Sequence, residues 1–157
     1  MCLDDLAPVL KIAASLPQAP QWPQNAYANA LDPYAAPERI ALVAEPLDAG
    51  VAGFLVAVLV PPQAELEMIA VAGDAQRQGI ATRLLSDLLS ILQKRQITEV
   101  MLEVRKSNYP ARAFYASAGF EETGRRTGYY IDPKEDAILL SRSLVGARDI
   151  LQNPKTE

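Results

Sequence analysis

The sequence predicts an α+β fold (mixed α/β), in which a mixed β-sheet carries helices on both faces. Segments with helical spacing and segments with strand character follow one another in the order helix, helix, strands, helix, strand, helix, strands. The chain has 157 residues, half of them hydrophobic, and a chain of this length buries about two-thirds of its unfolded surface. We therefore expect a single domain over residues 1–146 and a flexible tail over residues 147–157.

The first two-fifths of the chain is rich in proline, since nine of the twelve prolines precede residue 63. The elements predicted there are helices at Asp4–Ser15 and Asn25–Leu31 and strands at Arg39–Ala44 and Val51–Val60. The first helix ends before Pro17, because proline cannot continue a helix. Pro46, Asp48 and Gly50 form the turn between the two strands, and the Pro61-Pro62 pair ends the second strand.

The later elements have clearer boundaries. They are a strand at Glu65–Val71, a helix at Gly79–Lys94, a strand at Glu99–Val104, a helix from Pro110 to Gly119, and closing strands at Glu121–Tyr129 and Ala137–Leu144. Proline suits the first position of a helix, where its missing N–H would have no partner, and glycine suits the left-handed residue that ends one. The closing strands are predicted to join through the five-residue turn Ile131-Asp-Pro-Lys-Glu.

The third predicted helix begins at Gly79, directly after the polar run Asp74–Gln78. The apolar residues that follow at helical spacing are Ile80, Leu84, Leu85, Leu88, Ile91 and Leu92. A helix start has free N–H groups and the positive end of the helix dipole, and the small residues Gly79 and Ala81 let a pyrophosphate approach them closely. The pattern predicts an anion cradle without a P-loop lysine; the alternative is a plain turn that leads the chain into a helix.

The sequence contains no histidine, and Cys2 is its only thiol. This composition excludes Ser-His-Asp and Cys-His catalysis and His-ligated zinc, so we expect an inert Cys2 and no bound metal. The net charge of −4 disfavours nucleic acid as a direct partner and suits a basic peptide. The chain has no run of about eighteen apolar residues and its first residues are acidic, so we expect a cytoplasmic protein that binds no membrane.

Two motifs resemble the acetyl-CoA site of the GNAT N-acetyltransferase superfamily. The first has the pattern Q/R-x-x-G-x-G/A and is matched by Gln76, Gly79 and Ala81. The second has the pattern S-N-x-x-A-x-x-x-Y-x-x-x-G-F and is matched by Ser107, Asn108, Ala111, Tyr115, Gly119 and Phe120. Ala81 stands where many members have glycine, which slightly narrows the approach to the backbone.

The resemblance implies the GNAT acyl-CoA N-acyltransferase fold, with a mostly antiparallel sheet, and acetyl-CoA as cosubstrate. In that family the strand before the glycine loop and the strand after its helix splay apart, and the pantetheine arm enters the gap. The residues that would bind acetyl-CoA are Ile69, Ala70, Val71, Gln76, Arg77, Gln78, Gly79, Ile80, Ala81, Asn108 and Tyr115. The backbone of Ile69 and Val71 would hydrogen-bond the arm like an added strand, and Asn108 would also bond it.

Direct acetyl transfer needs an acceptor for the amine proton and a proton for the departing thiolate. Glu103 is the candidate base, because Val100, Leu102 and Val104 take the opposite face of its strand; the alternative is an exposed strand glutamate. Tyr115 is the candidate acid, because a phenol is protonated at pH 7; the alternative is a packing aromatic. The motif around Tyr115 favours the catalytic interpretation.

Within the superfamily the chain resembles the RimI branch, which acetylates the N-terminal alanine of one small-subunit ribosomal protein. The segments that carry this likeness are Leu102–Asn108, Arg125-Arg126, Tyr129-Tyr130 and Glu135–Ile138. In that branch Glu103 is the general base, Trp22 borders the peptide site and the Tyr129-Tyr130 hairpin closes its other side. The alternatives are a loop plug for Trp22 and edge-strand aromatics for the tyrosine pair. The segment Pro17–Tyr34, rich in proline and alanine, departs from the branch.

We therefore expect an N-acetyltransferase that modifies the N-terminal α-amine of a protein, with a basic ribosomal-protein N-terminus as its partner. Two alternatives remain open. A GNAT enzyme acting on another peptide, a lysine or a small amine would share the same cofactor site. A CoA-binding regulatory module without turnover would need neither Glu103 nor Tyr115, so the presence of both residues weighs against it.

Overall fold

The computed structural model describes residues 1–18, 20–47 and 50–145. The helices are α1 Leu6–Ser15, α2 Gln24–Asn29, α3 Ile80–Lys94 and α4 Tyr109–Ser117. The strands are β1 Arg39–Ala44, β2 Gly53–Val60, β3 Gln63–Val71, β4 Glu99–Arg105, β5 Glu121–Ile131 and β6 Lys134–Ser143. Every predicted helix and strand is present in the predicted order. The predicted tail and Asp48 of the first predicted turn lie outside the described residues, and the domain boundary stays a prediction.

The strands form one six-stranded sheet in the order β1-β2-β3-β4-β6-β5. Among the described strands β3 and β4 are parallel, and the other four neighbouring pairs are antiparallel. Helix α3 makes the crossover that a parallel pair requires. The prediction of a mixed, mostly antiparallel sheet is therefore confirmed.

Two apolar clusters cover the two faces of the sheet. One cluster packs α3 and α4 against the sheet, and its members include Leu84, Leu88, Leu92, Leu102, Tyr115 and Phe120. The other packs α1 and α2 on the opposite face, and its members include Val9, Ile12, Tyr27, Phe54, Val56 and Met68. Full burial of one large apolar side chain contributes about 1.5–3 kcal/mol to the stability of the fold. Packing of helices therefore stabilises the sheet on both faces.

The hairpin between β5 and β6 corrects the predicted turn. Ile131 pairs with Lys134 and Tyr130 with Glu135, so the connection is two residues long and the five-residue turn was wrong. Asp132 and Pro133 form this connection, and both residue types favour turns. The longer strands gain additional backbone hydrogen bonds. Helix α4 likewise begins at Tyr109, one residue before the predicted start.

Membrane-spanning helices and metal-binding clusters are both absent from the described residues. No helix in that part of the chain is long and apolar enough to cross a membrane. No group of three or more Cys, Asp or Glu side chains there could hold a metal ion, and the expectation of no metal stays a prediction.

Candidate active site

Strands β3 and β4 part from each other partway along their length. Their parallel pairing ends at Glu65 and Met101. Beyond that pair β3 continues to Val71 and β4 to Arg105, and within the described residues each is paired there with its outer neighbour alone. The facing edges therefore present free backbone N–H and C=O groups, to which an extended ligand can bond as an added strand.

A bulge in β3 lies at this opening. Met68 pairs with Val56 and Leu66 with Ala57, so Glu67 is the extra residue. The side chain of Leu66 packs in the α3 cluster and that of Met68 in the α1 cluster. Arg39 fixes the bulge by donating to both Glu67 oxygens, at 2.8 and 3.1 Å. Because a bulge bends its strand and increases the twist, it favours the separation of β3 from β4.

Gly79 stands at the N-terminus of α3 with a φ of 80°. This left-handed conformation favours glycine, and a Cβ built on Gly79 would meet nothing within 4 Å. The space beside the residue is therefore open to a ligand. The first N–H groups of α3 have no acceptor within the helix, and together with the dipole they suit a phosphate.

Two glutamine side chains shape the loop that precedes Gly79. Gln76 Nε2 donates to the Val71 carbonyl at 3.2 Å, so the loop is tied to the end of β3. Gln78 Nε2 donates to the Asp74 carbonyl at 3.2 Å. Arg77 takes a positive φ of 63° between them and its side chain is exposed. These contacts hold the α3 N-terminus beside the opening between β3 and β4, as a cradle for a pyrophosphate requires.

Asn108 caps α4 and thereby positions the second motif. Its Oδ1 accepts a hydrogen bond from Ala111 N at 3.2 Å, a bond typical of helix starts. Gly119 follows the helix with a φ of 81°, as predicted for its left-handed end. The Oδ1 of Asn108 is thus already used in capping, and its role toward the pantetheine arm stays a prediction that depends on the remaining amide group.

The Tyr115 ring is buried by neighbouring aromatic rings. Its centroid lies 5.2 Å from that of Phe114 and 5.6 Å from that of Phe120, so the packing alternative is correct for the ring. Burial, followed by the nearby Tyr130 phenol, raises the pKa of Tyr115 well above its usual range. The hydroxyl has no hydrogen bond to the described residues, and no fully buried side-chain oxygen among them lacks a partner, so this hydroxyl reaches accessible space.

Glu103 lies on the opposite face of β4 from the buried Val100, Leu102 and Val104, as its strand position predicts. Arg126 Nε contacts Glu103 Oε1 at 3.0 Å. The Glu103 carboxylate, as a hydrogen-bond acceptor and as a negative charge, also raises the pKa of Tyr129. Glu103 is therefore on the part of β4 that borders the opening, and its carboxylate is paired with a cation, which the sequence did not indicate.

Glu65 is a residue that the sequence analysis missed. It occupies the last parallel pair before the opening and lies on the same face as Glu103. Partial burial, and then the charges of Glu103 and Glu67, raise the pKa of Glu65, while Arg126 opposes the shift. The position of Glu65 beside Glu103 depends on the register between β3 and β4, which are far apart in sequence. No local sequence motif indicates that register.

Arg105 fixes the Tyr129-Tyr130 hairpin. Its guanidinium carbon lies 4.0 Å from the centroid of the Tyr130 ring, and its NH1 lies 3.5 Å from a Glu135 oxygen. Hydrogen bonds from Ser107, followed by Arg105, lower the pKa of Glu135. The hairpin is thus attached to the end of β4, beside Glu103.

Trp22 packs in the α1 cluster, with its ring centroid 5.4 Å from that of Tyr27. This contact favours the loop-plug alternative. Glu103 faces the same side of the sheet, because the buried residues of β4 belong to the α3 cluster on the other side. The structure therefore brings Glu103, Tyr129 and Tyr130 together, while Trp22 lies on the side of the sheet that Glu103 faces and packs there against Tyr27.

Residues 8–120 match the acetyltransferase (GNAT) family. The chain belongs to the GNAT acetyltransferase family. A putative ribosomal protein bS18-alanine N-acetyltransferase of Bacillus subtilis is 30% identical to it over 142 residues, which cover 89% of this chain and 90% of that relative. The predicted resemblance to the superfamily is confirmed.

Two comparisons with Escherichia coli proteins place the chain more closely within the GNAT family. The ribosomal protein bS18-alanine N-acetyltransferase of strain K12 is 44% identical over 92 residues, which cover 57% of this chain and 62% of that relative. The match thus spans less than two-thirds of that relative's length. A crystal structure of the ribosomal-protein-S18-alanine N-acetyltransferase from Escherichia coli has a TM-score of 0.80 at 31% identity, with 94% of this chain and 92% of that chain covered. The likeness to the RimI branch is confirmed.

Replacement of Gly79 by valine tests the cradle. The left-handed φ disfavours a β-branched residue, and the new side chain would enter the open space beside the α3 N-terminus. We expect CoA affinity measured by calorimetry to fall at least tenfold, which is about 1.4 kcal/mol. Gly73→Val is the control, because Gly73 has open space and no positive φ, and it should keep its affinity. Unchanged CoA affinity in Gly79→Val would rule out the cradle.

Proposed function

We propose that the chain is an acetyl-CoA-dependent N-acetyltransferase that modifies the N-terminal α-amine of a protein. The observation that carries the proposal is the opening between β3 and β4. It connects the side of the sheet that holds α3, α4 and Tyr115 with the side that Glu103 faces. A thioester bound from one side and an amine entering from the other would meet in this opening.

The residues at the opening fit acetyl-CoA. The open space at Gly79 and the free N–H groups of α3 suit the pyrophosphate. The edge of β3 at Ile69 and the N–H of Val71, whose carbonyl is bonded to Gln76, suit the amide groups of the pantetheine arm. Bound there, acetyl-CoA supplies an activated acetyl group. The protein supplies orientation of the two reactants, acceptance of a proton and stabilisation of the leaving sulfur.

Glu103 accepts the proton that the α-amine must lose. An α-amine has a pKa near 8, so about a tenth is neutral at pH 7 and the base needs to contribute only on the order of 1 kcal/mol. Before the amine binds, Arg126 and the Tyr129 phenol are the partners of this carboxylate. Glu103 can act directly or through one water.

Tyr115 donates to the departing sulfur. Its raised pKa keeps the phenol protonated throughout the neutral range, so the hydroxyl is always a donor. The same shift makes complete proton transfer harder, so the main contribution of Tyr115 is a hydrogen bond from its hydroxyl to the developing thiolate, beside the apolar side chains of the α3 cluster.

The ribosomal N-terminal alanine is the acceptor that we favour. The named function of the Escherichia coli and Bacillus subtilis relatives supports it. The opening is lined by Glu65 and Glu103 on the acceptor side, and the net charge of −4 adds attraction for a basic peptide. The first residue of the acceptor peptide should be small, because the Tyr129-Tyr130 hairpin borders the opening that the peptide enters.

An acetylation screen tests the acceptor. Peptides that differ in their first residue, peptides with an internal lysine and a blocked N-terminus, and polyamines should be compared by initial rate. We expect an alanine-first basic peptide to be fastest, and added salt to reduce its advantage over a neutral peptide because it screens charge. Faster acetylation of a lysine side chain or a polyamine would contradict the α-amine proposal and leave the family assignment intact.

Tyr115→Phe removes the hydroxyl and keeps the buried ring. We expect kcat to fall by about 10² or more with little change in acetyl-CoA affinity, because the lost hydrogen bond acts on the leaving sulfur. The matched control is Phe114→Leu, which alters a neighbouring ring that carries no donor. Turnover near that of the wild type in Tyr115→Phe would leave Tyr115 as a core aromatic alone.

Glu103→Gln should show a loss of rate that depends on pH. The loss should be largest below about pH 8, where most of the amine is protonated, and should shrink at higher pH as the amine deprotonates without help. Glu99→Gln is the control, since Glu99 lies on the same face of the same strand and already accepts a hydrogen bond from Gln63 at 2.7 Å. A loss independent of pH would argue against Glu103 as the base.

A further inference from the structure

The opening between β3 and β4 has a carboxylate on each strand. Glu65 belongs to the last parallel pair with Met101, and Glu103 follows Met101 by two residues, so the two glutamates share a face of the sheet. The strands part beyond this pair, and the charge of Glu103 still acts on Glu65 across the opening. An ammonium group that enters the opening can bond to both carboxylates through charge-assisted hydrogen bonds of about 2.7–2.9 Å.

Arg126 supplies the positive charge at this position in the structure. Its Nε contacts Glu103 at 3.0 Å, yet 55% of its side chain is exposed. Its guanidinium carbon lies 5.4 Å from the centroid of the Tyr129 ring, so the side chain can remain over that ring without the carboxylate. The Glu103 side chain is 19% exposed, so only the cation of this pair is well solvated; water can take over the hydrogen bonds of Arg126 when another cation replaces it.

We propose that Glu65 and Glu103 together form the binding position for the acceptor's ammonium group, and that this group displaces Arg126 from Glu103. Glu65 is then a positioning residue that holds the amine beside the base. The inference rests on the proposed transfer to an amine and adds to it a residue, Glu65, that binds the charged form of the acceptor.

The charge balance supports the exchange. Glu65, Glu103 and Arg126 together carry a formal charge of −1, and Glu67 is neutralised by Arg39. When an ammonium group takes the place of Arg126, the charge near the carboxylates is again −1. Glu103 then takes one proton from the ammonium group and the neutral nitrogen attacks the acetyl carbon. As the carbon–sulfur bond breaks, the nitrogen gives its second proton to water, and CoA leaves as a thiolate that accepts a hydrogen bond from the hydroxyl of Tyr115.

Glu65→Gln tests the binding position while keeping the size of the side chain. We expect the KM for an alanine-first basic peptide to rise at least about fivefold, with kcat within about twofold and the KM for acetyl-CoA unchanged. Glu99→Gln removes the same charge from the same face, at the start of β4 and before the opening, and should change neither constant. An unchanged peptide KM, or a loss confined to kcat, overturns the proposal.

Direct binding separates this proposal from the identity of the acceptor. The free-amine peptide and its N-acetylated form should be titrated by calorimetry into the CoA-bound protein. Glu65→Gln should weaken the free-amine peptide at least about fivefold and leave the N-acetylated peptide unchanged; equal effects on both would overturn the proposal. If wild-type enzyme prefers a lysine or a polyamine, the proposed acceptor fails, and the same comparison with that amine still tests Glu65.

Replacing Arg126, the cation that competes for Glu103, should change the peptide KM in the opposite direction to Glu65→Gln. Arg126→Gln should lower the KM for the peptide at least about twofold, because Glu103 is then free to receive the ammonium group. Arg125→Gln is the control, since Arg125 pairs with Glu122 at 3.8 Å and not with Glu103. A higher peptide KM in Arg126→Gln would show that Arg126 holds the site together, and would overturn the displacement.

Discussion

The separation of β3 from β4 beyond the Glu65–Met101 pair is the constraint on which the candidate site depends. Backbone groups inside a sheet are normally paired, and unpaired ones must find water or a ligand. Here the bulge at Glu67, fixed by Arg39, ends the pairing at a defined place. A free edge therefore exists without partial unfolding of the sheet, whose two faces are held by separate apolar clusters.

The same opening divides the chemistry between the two sides of the sheet. Helix α3 and Tyr115 lie on one side, in apolar surroundings that keep the phenol protonated. Glu103, Glu65 and Arg126 lie on the other side. Their charged side chains are partly exposed there, so they stay hydrated and their ion pairs can exchange partners. In the mechanism that we propose, the leaving group is stabilised in a low-dielectric environment and the cationic amine is bound in a hydrated one.

Local patterns predicted most of the fold. The apolar stripe of α3, the alternation in β4 and the left-handed glycines are set by neighbouring residues, so Gly79, Gly119 and the face of Glu103 could be predicted. The pairing of Glu103 with Arg126 and the place of Glu65 could not, because they depend on the register between strands distant in sequence. The predicted length of the β5–β6 turn was wrong for a related reason. Strand pairing extends into residues whose local composition is typical of a turn.

A crystal structure with a bisubstrate compound, CoA joined through its sulfur to an alanine-first basic peptide, would test the account most directly. We expect the pyrophosphate at the first N–H groups of α3, the pantetheine arm bonded to the free edge of β3, and the peptide nitrogen between Glu65 and Glu103. Arg126 should have left Glu103 in that complex. A peptide bound on the α3 side of the sheet, or an arm that avoids the opening between β3 and β4, would contradict the account.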